Sequence, residues 1–244
     1  MTKILTILLV FIGIGAFGQN VQIDTLTVKL KISDSFNQLQ SDSINFPIIK
    51  TGNKGIDSLI NFDLKNKFTS NEYPTDSIDS TLIKWAHDQI IDIDFKVTYN
   101  KNGILSLNIS AEGCGAYCSY WTEYFNYSTI TGKPLDFSEI IDITGAFKTR
   151  VFKDKETQFK KQKIELKEML NDKEAELDQS TYEWALEYYE DCENSFNLKS
   201  FSIHPDFIEI NVSCYLPNAI KSLTPIIELK YKFNEIYDYL KIKN

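Results

Sequence analysis

The chain is poor in the residues that catalysis uses most. Its 244 residues include only two histidines, His87 and His204, far apart and without metal-ligand spacing. That excludes the ordinary histidine-built zinc site, and both histidines read as surface or half-buried side chains. The H-E-x-x-H and G-x-S-x-G motifs, the glycine-rich phosphate loop and the calcium-loop pattern are all missing. Basic residues are outnumbered, 26 Lys and Arg against 34 Asp and Glu, for a formal net charge of −8. A chain of that sign repels phosphates, so nucleic acid is not an expected partner. Glycine and proline are absent from Ala146 to His204, so little obstructs a helix over that stretch. Asp88, Asp92 and Asp94 lie close together, but Asp92 and Asp94 alternate with Ile93 and Phe95 and read as solvent-facing strand positions. No cofactor and no metal follow from this inventory.

The N-terminus carries the clearest signal. Lys3 opens a short basic region, Ile4 to Ala16 is apolar, and Ala16-Phe17-Gly18 offers the small residues that a signal peptidase reads. Residues 1–18 therefore read as a signal peptide cleaved before Gln19, and the apolar run is too short for a permanent membrane span. No cysteine follows that run, which argues against a lipid anchor at the new N-terminus. The expected destination is outside the cytoplasm, periplasmic or extracellular. Residues 19–244 are enough for one large domain or two small ones with a proper core, one being the expectation, and 43% hydrophobic and 13% aromatic content are those of a folded chain. Losing Lys3 takes the formal charge to −9. The acidic balance favours solubility and would steer a basic partner toward the surface.

Export gives the four cysteines a reading. Cys114, Cys118, Cys192 and Cys214 should be disulfide-bonded in an oxidising compartment. Three pairings are open, and Cys114–Cys118 with Cys192–Cys214 is the preferred one. The first would pin a short glycine-containing loop; the second would tie a helix end to a strand. A zinc site on all four is the competing reading, but C-x3-C followed by isolated cysteines is not a pair of zinc knuckles.

The periodicities predict an α+β domain. Val21 to Ile32 alternates as a strand, Ser33 to Ser43 is a polar loop, and Phe46-Pro47 forces extended chain. Ile56, Leu59, Ile60, Leu64 and Phe68 recur at helical spacing, and a short helix is expected over Leu82 to Ile91. Ile93 to Tyr99, the Asn102-Gly103 turn, Ile104 to Ile109 and the aromatic strand Ser119 to Ser128 predict an antiparallel meander. A long charged helical excursion fills about 146–191. It carries an apolar seam of Phe152, Phe159, Leu166, Leu170, Leu177 and Trp184, with a break at Asn171-Asp172 and a capping box at Ser180-x-x-Glu183. Leu198 to His204 and Phe207 to Tyr215 predict a second hairpin, and Ile226 to Phe233 a last strand before a helical turn.

Two charged features of the excursion could bind something. Its first half holds Lys153, Lys155, Lys160, Lys161, Lys163 and Lys167, and its second half is acidic, so the halves could fold back and pair. Alternatively Trp184, Glu187, Tyr188, Tyr189, Glu190 and Asp191 form an acidic–aromatic patch, aromatic anchors rimmed by charge, suited to a basic protein or a sugar. The aromatic strand Tyr120 to Tyr127 reads first as core packing.

Three stretches carry a resemblance: Tyr99-Asn-Lys-Asn-Gly-Ile-Leu-Ser-Leu, Tyr124-Phe-Asn-Tyr, and Thr131-Gly-Lys-Pro-Leu-Asp-Phe-Ser-Glu-Ile-Ile. From about Phe46 onward the chain resembles the RsiV-like extracytoplasmic domain family, and Ile226 to Leu240 is similar to that family's closing strand and helix. The resemblance implies a mixed α+β module of exported or membrane-tethered bacterial proteins. Its members include an anti-sigma factor whose outer domain binds lysozyme, and proteins with peptidoglycan deacetylase domains. This chain has no anti-sigma segment and no deacetylase domain with metal-binding histidines, and its Cys114–Cys118 loop sets it apart. The expectation is an exported, non-catalytic module that binds a protein, with lysozyme-like proteins one candidate, or a cell-wall glycan. The competing class is a cell-wall hydrolase or deacetylase, which would require clustered, perturbed acid–base groups in a cleft.

Overall fold

The computed structural model describes residues 20–29, 43–87, 90–115, 117–172 and 174–242. The expected leader, its cleavage point before Gln19, the polar loop from Ser33 and Asp88 lie outside the described residues. The rest is α+β, as the periodicities require, with antiparallel pairing in three small sheets.

The strands β1 (Gln22–Lys29) and β2 (Ser43–Lys50) pair with each other, Leu26 opposite Phe46 and Thr25 opposite Pro47. Helix α1 (Lys54–Phe68) starts where Asn53 accepts the backbone N–H groups of Gly55 and Ile56, an N-cap. Ile60, Leu64 and Phe68 point inward from it, while Leu59 is exposed. Helix α2 (Ile78–Ala86) begins at the Ser77 cap and ends before Ile90, earlier at both ends than its apolar pattern suggested. His87 is exposed just past its end.

The meander forms as expected: β3 (Ile90–Lys101), β4 (Ile104–Cys114) and β5 (Cys118–Ser128) run in the order β3-β4-β5. Asn102 and Gly103 both take positive φ, 54° and 75°, the conformation that a two-residue hairpin demands. A register shift between Val97 and Tyr99 moves the alternation by one residue, so Tyr99 faces the second core and not the first.

Because β4 is central, both its faces are covered. Leu105, Leu107, Ile109 and Ala111 pack with β2, α1 and α2 in the first core. Ile104 packs on the other side with the short helix α3 (Phe137–Ile140), Phe147 and Val151 of α4 (Ala146–Asn171), and the strands β6 (Phe201–Ile203), β7 (Phe207–Ile210) and β8 (Leu229–Lys232). These last three strands form their own sheet in the order β6-β7-β8. Polar side chains link it to the meander: Ile203 N–H donates to Ser106 Oγ at 3.0 Å, and Asn126 Nδ2 donates to the Phe201 carbonyl at 2.8 Å.

The excursion is an αα-hairpin. Helix α4 stops at Asp172, and α5 (Gln179–Ser195) begins under an Asp178 cap that accepts from Thr181 N–H at 2.7 Å. Asp178 therefore takes the role that the Ser180 box was expected to fill; Ser180 instead donates its hydroxyl to Asp178. The buried stripe on α4 is Phe147, Val151, Lys155, Phe159 and Leu166, closer to a four-residue step than to the seven-residue seam. The acidic and basic halves do fold back and pair: Lys163 Nζ lies 2.8 Å from Glu193 Oε2, and Lys155 donates to the Glu193 carbonyl at 3.1 Å.

Amide side chains complete backbone edges that strands leave open. Asn61 takes both groups of Ile49 at 2.8 Å each. Asn100 does the same for Val21, and Gln158 for Glu228. Each fixes a helix or strand to a neighbour that has no ladder partner on that side. No helix among the described residues is long and apolar enough to cross a membrane.

Candidate functional site

Both expected disulfides are present, Cys114–Cys118 and Cys192–Cys214. A group of Glu112, Cys114 and Cys118 lies close enough together to hold a cation, but two of its three donors are spent on the disulfide. Neither cysteine retains a thiolate for metal.

The expected acidic–aromatic patch is only partly at the surface. On α5 the Trp184 and Tyr188 rings meet edge to face, centroids 6.2 Å apart, and Trp184 is 39% exposed. Glu187, Glu190 and Asp191 are exposed beside them. The four-residue spacings 184–188 and 187–191 put Trp184, Tyr188, Glu187 and Asp191 on one helix face. Tyr189 is turned inward, packed with Leu166, Ala185, Leu216 and Ile220, and its hydroxyl donates to the Leu223 carbonyl at 2.5 Å. Burial, with Glu165 adding to it, pushes the Tyr189 phenol up to about 12. Tyr189 is thus a packing residue that fixes α5, not a surface anchor. Trp184, whose spacing suits both the apolar seam and the patch, lies at the surface with the patch.

A second concave surface draws on segments far apart in sequence. β5 presents alternate side chains to opposite faces. Phe125 and Tyr127 enter the first core, whereas Tyr120, Thr122 and Tyr124 project from the other face. There they floor a cleft of about 380 Å³ whose walls come from Glu209 to Tyr215 and from Ile227 and Glu228. Tyr120 is 51% exposed and Tyr215 61%. Burial raises the Tyr124 phenol, and the nearby Glu209 carboxylate adds to that shift. Lys230 lies between two carboxylates, 3.4 Å from Glu209 and 3.0 Å from Glu228. Asn211, in the same wall, has a side-chain nitrogen with no hydrogen-bond partner.

None of these walls is held by a sheet ladder alone. β7 ends at Ile210, and 211–216 is irregular chain. Cys214 is anchored through its disulfide to Cys192 near the end of α5. The opposite wall is held by α4, where Gln158 brackets Glu228 and Gln162 Oε1 accepts from Ile226 N–H at 3.1 Å. The floor's outer end is closed by the Cys114–Cys118 link, two residues before Tyr120.

Beside this cleft sits a trio that mimics a catalytic relay. Ser202 Oγ lies 3.1 Å from His204 Nε2, and Glu209 Oε2 lies 3.6 Å from the same nitrogen. A relay needs the acid and the nucleophile on different ring nitrogens. Ser202 is also buried at 1% exposure, so its hydroxyl has no route to a substrate. The imidazole stacks on Phe207 with centroids 4.1 Å apart, and burial holds it below the ordinary histidine range. Elsewhere Asp92 is half-buried and not fully solvent-facing; burial raises its carboxyl, with Asp94 and Glu112 adding repulsion.

Fold and surfaces together define a disulfide-bonded α+β domain with two exposed aromatic–acidic surfaces. No protein-family model and no curated protein matches this chain. Among solved structures it is similar to a member of the DUF3298 family from Bacteroides fragilis, with a TM-score of 0.54 and 16% identity over 92% of this chain and 96% of that one. A DUF3298 family protein from Pseudomonas aeruginosa is similar with a TM-score of 0.48 and 15% identity, covering 91% of this chain and 95% of that one. The likeness to the Bacteroides fragilis protein shows a shared fold.

Proposed function

We propose that this protein is an exported, non-catalytic binding module of the bacterial cell envelope. It recognises a protein ligand of basic surface without transforming it. The observation that carries the reading is the exposed Trp184 on α5, its ring against the half-buried Tyr188, flanked by Glu187, Glu190 and Asp191. An aromatic anchor inside an acidic rim is the kind of surface on which a few residues dominate affinity. The net charge of −9 left after the leader is removed would speed encounter with a cationic partner. Two disulfides and the secretory pattern of residues 1–18 support export. The RsiV-like resemblance supports an envelope module and puts lysozyme-like proteins among the basic candidates. The single-nitrogen geometry at His204 supports a non-catalytic reading.

The test is retention of the oxidised protein on immobilised lysozyme at low and moderate salt. Expected is retention that weakens with salt, since exposed charges are screened within about 10 Å at 0.1 M, and that falls about tenfold in Trp184→Ala. Absence of retention at both salt concentrations would remove lysozyme-like proteins. The same experiment with other basic envelope proteins then tests the class.

A further inference from the structure

We propose that the cleft between β5 and the 209–215 wall is a carbohydrate site, taking a short stretch of a hexopyranose chain. This adds a second ligand class to a module read above as non-catalytic, and it uses different residues from the α5 face.

The cleft's chemistry selects that class. Tyr120 and Tyr215 are both more than half exposed. Tyrosine offers an apolar face to the C–H groups of a sugar ring and a hydroxyl to its oxygens. Beside the rings stand the Glu209 and Glu228 carboxylates, with the Lys230 ammonium held between them, and the Thr122 hydroxyl on the floor. A polyol, with adjacent hydroxyls that both give and accept, satisfies such a mixed set. Lys230 offsets much of the charge of Glu209 and Glu228, so the cleft lacks the strong field that an anion or a polycation would require. About 380 Å³ lies at the lower end of small-molecule sites, suited to a chain segment and not to a folded partner.

An extended peptide added as a strand is the alternative occupant. Strand addition uses the hydrogen-bonding edge of a sheet. Here the floor is made of Tyr120, Thr122 and Tyr124, side chains standing on the face of β5. A ligand on them lies over the sheet, which favours the sugar.

The walls are fixed before any ligand arrives. The Cys192–Cys214 disulfide holds one and the Gln158 and Gln162 amides hold the other. Weak sugar contacts give usable affinity when the site loses little freedom on binding.

The experiment is titration calorimetry of the oxidised full chain with chitotetraose and, separately, cellotetraose. Saturable binding of at least one is expected, weakened about five- to tenfold by Tyr120→Ala and by Tyr215→Ala. Both side chains are exposed, so these variants should keep the fold, and an unchanged far-ultraviolet spectrum checks that. Tyr215→Phe should keep most of the affinity, since the ring remains. Trp184→Ala should leave sugar binding unchanged, which separates this site from the α5 face. No saturable binding of either sugar at millimolar concentration overturns the proposal. So does equal affinity in the wild type and both alanine variants, or tyrosine-dependent binding of an extended peptide alone.

Discussion

Replacing Cys192 and Cys214 together by serine removes the cross-link that joins α5 to the irregular chain after β7. The link closes a loop of sequence separation 22. Chain entropy alone puts its contribution at about 3.5 kcal/mol, against about 2 kcal/mol for the link of separation 4 between Cys114 and Cys118. Packing works in the same direction. Cys192 is only 8% exposed, and the chain beyond Cys214 supplies Leu216 and Ile220 to the third core around Tyr189. Beyond the Asn211 N–H bond to the Ser200 carbonyl, freeing Cys214 loosens a segment that has no strand pairing from 212 to 216. With a urea slope of roughly 3 kcal/mol/M, the midpoint should fall by about 1 M. Urea unfolding followed by tryptophan fluorescence and circular dichroism measures it. A double variant within about 1 kcal/mol of the wild type would refute the assignment of the long link as the structural one. So would a larger loss from the Cys114/Cys118 pair than from this one.

Other perturbations test other parts of the account. Lys65 is 1% exposed and its ammonium donates to the carbonyls of Tyr73 at 2.7 Å, Asp76 at 2.8 Å and Pro74 at 3.4 Å. Lys65→Met strands those acceptors and should cost about 3 kcal/mol by chemical denaturation, whereas a loss below about 0.5 kcal/mol would mean the loop does not depend on it. Tyr127→Phe removes the 2.8 Å bond that its hydroxyl donates to Asp63 and should cost about 1–2 kcal/mol in the same assay. Burial holds His204 below 6.5, so between its folded value and 6.5 the unfolded chain binds a proton that the folded one does not. Stability should therefore fall as pH drops through that window, and His204→Gln should flatten the dependence seen in urea midpoints. Glu123 sits half-buried opposite Ile109, and burial raises its carboxyl; the charge that it carries at neutral pH opposes folding, so Glu123→Gln should raise the melting temperature at pH 7 more than at pH 4.

Local rules made much of the fold legible. The β3–β4–β5 meander follows from period-two alternation and from Asn102-Gly103, whose positive φ values leave few other turns. The αα-hairpin follows from a stretch without glycine or proline, broken at Asn171-Asp172 as expected. Phe46-Pro47 lies in β2. What failed were choices that tertiary packing makes. Ser180 and Asp178 both suit a cap; Asp178 takes it, and Ser180 donates to Asp178. Trp184 and Tyr189 are both aromatic residues of one helix, and only the partner surface of Leu216 and Ile220 decides that Tyr189 is the one buried. The two strands expected around the Pro205-Asp206 turn are shorter, because β6 and β7 pair only over Phe201–Ile203 and Ile208–Ile210.

The cleft could not be read in advance. Tyr120 and Tyr124 were visible, but alternation alone does not say which face of β5 is covered along its whole length. Their companions Glu209, Asn211, Tyr215 and Glu228 come from segments 85 or more residues away. The one local hint was Cys214 beside Tyr215, a disulfide next to an aromatic residue in a region without strand pattern.

The functional account requires the chain to mature in oxidising surroundings. The intact mass of the protein recovered from its host, with thiols blocked during lysis, tests this most directly. The account predicts a chain that begins at Gln19, incorporates no blocking reagent, and gains four blocking groups only after reduction. A chain that still carries residues 1–18 and takes up four blocking groups without reduction would contradict it.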